Sequence, residues 1–355
     1  MKPAVAALAL ALAACTSVGS GNRVSPQPPP SVLAVVVDPT PNASNVHSVY
    51  LVGVDGHVVA HATAANRTTV TTWLAASPIL NLWAAYATAS GTRAYYLDGD
   101  HSVRYLDRAG HTGEVAQVPG GAHSRSFFAV SPNDGQIAVV VFDYSAPPTV
   151  QKEFYVQDLT TGVKSPIATA PNSYFWPVGW HSGNVVVQAG DPIPQTRYAA
   201  YSDGATDIAL IERTSGSSLA TLGRPGCAPV SSLATPVGVV CADSSTGSFN
   251  VIGWDGNATS FTGPLGTGGA SLSTDGRWVA SSGKTMTLTS APAAGSQHVD
   301  TGVAGYPGEA GWIDSSHVVY RIGGSSREAI YDITSKTSAT FPFDGILVAR
   351  IPGGL

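Results

Sequence analysis

Charge is what this sequence has least of. Lys, Arg, Asp and Glu make up 12% of the 355 residues, against about a quarter in a typical soluble domain. The basic residues number 18 and the acidic ones 23, a formal net charge of −5. No basic surface is therefore on offer for nucleic acid or for an anionic membrane. Long apolar runs are missing as well: no segment reaches the roughly eighteen consecutive apolar residues that a spanning helix needs. Disorder is excluded by a hydrophobic content of 43% and a mean hydropathy of +0.11, which supply enough apolar surface for a large core. What is abundant is glycine, 39 residues, and proline, 25, and both argue against a mainly helical chain. The length fits two domains or one long all-β domain.

The N-terminus carries its own message. Met1-Lys2 supplies one basic residue, and Pro3 to Ala14 is an unbroken run of small and apolar residues ending in Leu12-Ala13-Ala14-Cys15. Such a run matches the apolar core of a secretory signal and is too short to cross a hydrocarbon layer of about 30 Å. The last four residues resemble the lipobox of bacterial lipoproteins. That resemblance implies cleavage after residue 14, acylation of Cys15 and a membrane-anchored protein on the extracytoplasmic side of the cell envelope, since two or three acyl chains hold stably. Thr16 to Ser31, TSVGSGNRVSPQPPPS, reads as a tether that extends on the order of 50 Å at about 3 Å per residue. The division expected is therefore 1–14 signal, 15–31 lipidated cysteine and tether, 32–355 folded body.

With Cys15 assigned to an anchor, Cys227 and Cys241 remain as an even pair in an oxidising compartment. They bracket a loop that returns into a strand, and a disulfide closing about fifteen residues contributes roughly 3 kcal/mol in the chain-entropy model. A catalytic or metal-binding thiol is the competing reading, but neither cysteine sits in a CxxC pair and no third ligand lies close in sequence.

The body alternates short β-rich runs with turn residues, and one element recurs. It appears as ATASGTRAYY (Ala87 to Tyr96), AVSPNDGQIAVVV (Ala129 to Val141), VGWHSGNVVV (Val178 to Val187), LATPVGVVC (Leu233 to Cys241), SLSTDGRWVA (Ser271 to Ala280) and GWIDSSHVVY (Gly311 to Tyr320). Aligned on Gly91, Gly135, Gly183, Gly238, Gly276 and Ser316, the copies are 44, 48, 55, 38 and 40 residues apart, a mean of 45. That period falls among the values of about 40 to 50 for β-propeller blades. Val32 to Ile351 spans 320 residues, room for seven such units, with six as the alternative count. The unmatched seventh reads as a composite, in which the hairpin His47 to Ala60 and the strand Gly345 to Ile351 join in one sheet and close the ring. Seven Asp-Gly pairs (at Asp55, Asp98, Asp134, Asp203, Asp255, Asp275 and Asp344) read as tight hairpin turns needing positive φ.

SPNDGQIAVVV and STDGRWVASS resemble the SPDG-type element of the WD40-like (PD40) repeats of TolB-like bacterial propellers. The resemblance implies an all-β propeller that binds partners, and it carries no catalytic residue across. The Trp-Asp ending of eukaryotic WD40 repeats is missing, Trp254-Asp255 being a single occurrence inside a turn.

Catalytic motifs are absent: there is no GxSxG, no GxxxxGK[ST], and no GxGxxG opening a helix. His57 and His61, four apart in a strand, would sit about 13 Å from each other, too far to share an ion. Asp98 and Asp100 flank a turn glycine, but the EF-hand pattern fails and a hairpin tip is expected. No metal and no cofactor is implied. Candidate ligand-binding residues come from the segments leading into each repeat: His123, Arg125, Tyr174, Trp176, Arg224, Tyr306 and Glu309, joined by Asp143, Tyr144, Asp191 and Arg197 from longer blade interiors. In a propeller these gather at one channel mouth, and rings beside a few charged groups suit a peptide or saccharide. Phe175, Trp176 and Trp180 have a second reading, as packing between blades. Alanine at Arg125 and Trp176 is expected to weaken partner capture and leave the fold intact. The function expected is a monomeric, membrane-anchored binding or scaffold propeller whose partner is an envelope protein, peptide or glycan. The alternative is a glycan hydrolase or lyase using Asp143, Asp191 or Glu309.

Overall fold

Runs rich in Val, Ile, Tyr and Phe, broken by Gly, Asp and Ser, form strands throughout the described chain. The structure, a computed structural model, describes residues 32–38, 45–68, 87–146, 149–168, 175–189, 207–222, 227–229, 233–243, 248–261, 270–282, 285–290, 297–323, 325 and 327–355. At 189, 207, 208, 227–229, 242, 243, 248, 261, 282 and 305–310 only the backbone is described. The first strands are β1 (Leu33–Asp38), β2 (Val46–Gly53) and β3 (Val58–Ala65). The first blade is β4 (Ala87–Ala89), β5 (Ala94–Asp98), β6 (Ser102–Leu106) and β7 (Thr112–Gln117). The second is β8 (Ser124–Val130), β9 (Gln136–Asp143), β10 (Gln151–Asp158) and β11 (Lys164–Pro166); the third is β12 (Phe175–His181), β13 (Asn184–Ala189), β14 (Asp207–Ile211) and β15 (Ser218–Thr221). The fourth is β16 (Cys227–Pro229), β17 (Val239–Asp243), β18 (Ser248–Ile252) and β19 (Ala258–Phe261); the fifth is β20 (Ala270–Leu272), β21 (Trp278–Ser282), β22 (Met286–Ser290) and β23 (His298–Asp300). The sixth is β24 (Gly305–Trp312), β25 (His317–Ile322), β26 (Glu328–Asp332) and β27 (Thr337–Thr340), and β28 (Ile346–Ile351) follows.

Each blade is a four-stranded antiparallel meander, and the seventh sheet runs β28-β1-β2-β3. The chain is an all-β, seven-bladed propeller; the six-blade alternative is excluded. In β9, QIAVVVFD, every residue from Ile137 to Phe142 is buried. A near-continuous apolar run of this kind is what a strand covered on both faces requires. The outermost strands β11 and β23 are exposed at every residue, so hydrophobicity falls from the channel outward.

Closure rests on β1 pairing with both β28 and β2, from Leu33↔Ile351 to Val37↔Ile346 on one side and Leu33↔Gly53 to Asp38↔Ser48 on the other. Leu33, Val35 and Val36 are fully buried, each such side chain contributing about 1.5–3 kcal/mol. The six repeat copies align on the turn between the first and second strands of six successive blades. In the seventh sheet that position is where β28 stops and β1 starts, which is why no seventh copy appears in the sequence.

The recurring Ser closes that turn. Ser131 Oγ accepts the Gln136 N–H, Ser273 Oγ the Trp278 N–H, and Ser90 Oγ the Arg93 N–H, at 2.9, 2.9 and 3.1 Å. Asp-Gly turns supply positive φ at Gly56, Gly99, Gly256 and Gly276, whereas in SPNDG the left-handed residue is Asp134, at φ 60. Asp344-Gly345 departs from the hairpin expectation: it leads from the sixth blade into β28. Asp203-Gly204 lies outside the described residues. Among the described residues no helix is long and apolar enough to cross a membrane.

Candidate functional site

Inner strands begin at one mouth of the channel and end at the other. The first mouth gathers the connections between blades and those from second to third strands. The second mouth gathers the turns from first to second and from third to fourth strands.

At the first mouth, the second blade brings four of the sequence candidates together. Tyr144 N–H donates to the His123 carbonyl at 2.8 Å, and Ser124, between His123 and Arg125, pairs with Asp143. His123 is exposed and Asp143 half-buried, the latter capping Ser145 N–H at 2.8 Å. Arg125 is not available to a ligand. Its side chain is 0% exposed and lies 3.2 Å from Asp100, and it also donates to the Thr68 carbonyl. Burial pushes the Asp100 carboxyl up, but hydrogen bonds from Thr68 and the charge of Arg125 overcome it and leave the group below its ordinary range. The hairpin tip Asp98–Asp100 is therefore a tie between blades: Asp98 accepts Ala65 N–H at 2.8 Å and Asp100 accepts Thr68 N–H at 3.0 Å.

The aromatic candidates are also internal. Trp176 is fully buried with its ring 6.2 Å from Phe127, and Phe175, Trp180 and Tyr144 are buried too. These rings fill space between blades, so the packing reading applies to them and the stacking-platform reading does not. Tyr174, Asp191, Arg197, Arg224 and Cys15 lie outside the described residues. Tyr306 and Glu309 are on β24, where only the backbone is described. Cys227 and Cys241 lie on paired strands of the fourth blade, with Cys227 opposite Asp243 and Cys241 opposite Pro229. Sequence reasoning missed Lys152 at this mouth, whose ammonium lies 4.2 Å over the Phe175 ring. Burial lowers its pKa to about 8.

The second mouth holds a small cavity of about 40 Å³, room for a few water molecules and well below a ligand-sized pocket. Its walls include Val130, Val178, Trp180, Leu233 and Val348, and Arg350 lies among them. Arg350, on the closing blade, donates to the Ala234 carbonyl of the fourth blade at 2.8 Å and to the Trp312 carbonyl of the sixth at 3.3 Å. Residues 353–355 cross this mouth and complete the lining. The half-buried His181 ring stacks on Trp254, centroids 4.7 Å apart and planes at 19°. The sequence signal was present in VGWH and in VARIPGGL, but neither names a mouth until the turns are placed. Among the described residues no group of three His, Cys, Asp or Glu side chains is arranged to hold a metal ion.

No protein-family profile matches the chain, and no curated protein matches it in sequence. Solved structures do match in fold. A functionally unknown protein from Desulfotomaculum acetoxidans is similar at 11% identity over 90% of this chain and 98% of its own, TM-score 0.51. An oligogalacturonate lyase in complex with manganese is similar at 11% identity over 83% of each chain, TM-score 0.52. TolB from Acinetobacter baumannii aligns at 12% identity over 91% of this chain and 65% of its own, TM-score 0.36. At these identities the first two likenesses show the fold alone.

Proposed function

We propose that the chain is a binding propeller, held at the extracytoplasmic face of a membrane through a lipid on Cys15 and the tether Thr16–Ser31, and that its partner is a protein or peptide. One observation favours binding over catalysis: many of the described carboxylates cap turns. Asp158 takes Thr160 and Thr161 N–H at 2.9 and 2.7 Å, Asp255 takes Asn257 N–H at 2.9 Å, and Asp300 takes the Thr285 hydroxyl at 2.6 Å. Glu212 takes Thr214 and Ser215 N–H at 3.0 and 2.6 Å. Those hydrogen bonds pull all four below the carboxylate range, Glu212 to about 2. A general acid working near neutrality needs the opposite shift.

The reading as a glycan hydrolase or lyase draws on a shared fold and on Asp143, whose carboxylate is a turn cap. A peptide partner is favoured over a glycan because the second mouth is walled mostly by aliphatic residues and a stretch of backbone, residues 353–355, already hydrogen-bonds along that wall. The test is fractionation and crosslinking of the full chain in intact cells, with the Cys15→Ser variant and with oligogalacturonate added to the purified protein. The lipidated chain is expected to sediment with membranes and crosslink to a partner, Cys15→Ser to become soluble, and the oligosaccharide to stay uncut. Turnover of the oligosaccharide, or Cys15→Ser remaining membrane-bound, would overturn the reading.

A further inference from the structure

Residues 353–355 do not trail away from the ring. Leaving β28, they cross the second mouth over the first three blades. Gly353 N–H donates to the Ser90 carbonyl at 2.6 Å, Leu355 N–H donates to the Trp180 carbonyl at 2.9 Å, and His181 Nδ1 donates to the Leu355 carbonyl oxygen. Ser90, Pro132 and Trp180-His181 belong to equivalent turns of successive blades, so the segment follows a track laid by the repeat.

Shape is matched as closely as hydrogen bonding. A Cβ on Gly353 would lie 2.3 Å from the Ala89 carbonyl oxygen, so the track admits no side chain there. Gly354 has φ +119 and would meet the Pro132 ring at 3.3 Å. On the wall the reverse holds: a Cβ on Gly179 would lie 2.6 Å from Leu355 Cδ1, so a glycine at the β12 bulge makes the space that the leucine fills. A wall glycine opposite a leucine, and two glycines where the track is too narrow for anything larger, form one complementary surface.

We propose that this track is a peptide-binding site, selective for an extended Gly-Gly-Leu-like segment read through its main chain by Ser90, Trp180 and His181, and that residues 353–355 hold it in a closed, self-occupied state. The inference rests on the binding role proposed above and names its site. A segment tethered to β28 through Pro352 meets the track at an effective concentration of about millimolar or more, so a free peptide competes poorly until the segment is released. Main-chain reading of an extended segment, with one pocket for a side chain, is an established mode of peptide recognition.

The probe is the fluorescent tetrapeptide Pro-Gly-Gly-Leu, followed by anisotropy. A chain ending at Pro352 is expected to bind it at least about tenfold more tightly than the full chain, because the tethered competitor is gone. Gly179→Ala in the shortened chain fills the leucine space and is expected to remove that binding while circular dichroism shows the fold retained. Should the shortened chain fail to fold, Leu355→Ala in the full chain keeps the backbone, loses the anchor and is expected to gain peptide binding severalfold. Equal affinity in long and short chains, a folded short chain that ignores the peptide, or a Leu355→Ala chain with no gain would overturn the proposal. A short chain that ignores the peptide yet still crosslinks its partner in cells refutes this site and leaves the binding role standing.

Discussion

The Trp180 indole N–H donates to the Ala129 carbonyl at 3.0 Å, from the inner strand of the third blade to that of the second. Trp312 repeats the bond to Ser271 at 3.1 Å, from the sixth blade to the fifth. Both tryptophans sit in the same place in their repeats, GWHS and GWID, and both are buried. Trp180→Phe leaves the Ala129 carbonyl without that donor and opens a void, which together cost about 2–4 kcal/mol. Thermal denaturation followed by circular dichroism should show a fall of several degrees in Tm. An unchanged Tm would mean that the indole does not tie the seam.

Arg125→Ala is expected to damage the fold and not merely partner capture, reversing what the sequence suggested. Removing a fully buried guanidinium leaves the Asp100 carboxylate, 12% exposed, without its ion partner; breaking such pairs costs about 3–5 kcal/mol. The double variant Arg125→Met with Asp100→Asn should recover part of the loss in urea denaturation. Wild-type stability in Arg125→Ala would show that the pair is dispensable.

Acid should destabilise the chain in a defined window. Carboxylates whose folded pKa is depressed contribute stability that is present above their unfolded value and lost as pH falls through the folded one. Glu212, held near 2 by the Thr214 and Ser215 hydrogen bonds, with Asp158, Asp255 and Asp300 shifted in the same direction, places the loss between about pH 4.5 and 2. Glu212→Gln should flatten the stability profile in that window and leave it unchanged near neutrality. A Glu212→Gln profile parallel to wild type would rule out its contribution.

The blade count was legible because turn chemistry is local: Ser, Asp and Gly at fixed offsets close the same turn six times, and the split seventh sheet follows from the two unmatched ends. Burial was less legible. Arg125 and Trp176 read as ligand groups because they flank turns, yet β8 and β12 already run between neighbouring blades at those positions, where a long side chain has nowhere to go but inward. The cavity escaped notice because it depends on residues far apart in sequence, Arg350 with Ala234 and Leu355 with Trp180. No local pattern states which mouth the end of a strand will cross.

The fourth blade offers a covalent test. Cys227 and Cys241 lie on paired strands two residues apart in register, and a bridge between them would contribute about 3 kcal/mol through the loop it closes. Non-reducing mass spectrometry is expected to find the linked peptides, and reduction to lower Tm. Two free thiols in the purified protein would refute the bridge.

The binding role, and the mouth that carries it, can be tested together by a photo-crosslinking residue placed in intact cells at Val237 or at His123. Val237 is 38% exposed on the turn between β16 and β17, at the second mouth. His123 is exposed at the opposite one. Position 237 should give a discrete crosslinked species that disappears with Cys15→Ser, and position 123 should give none. Crosslinks from 123 alone, or from neither position, would contradict it.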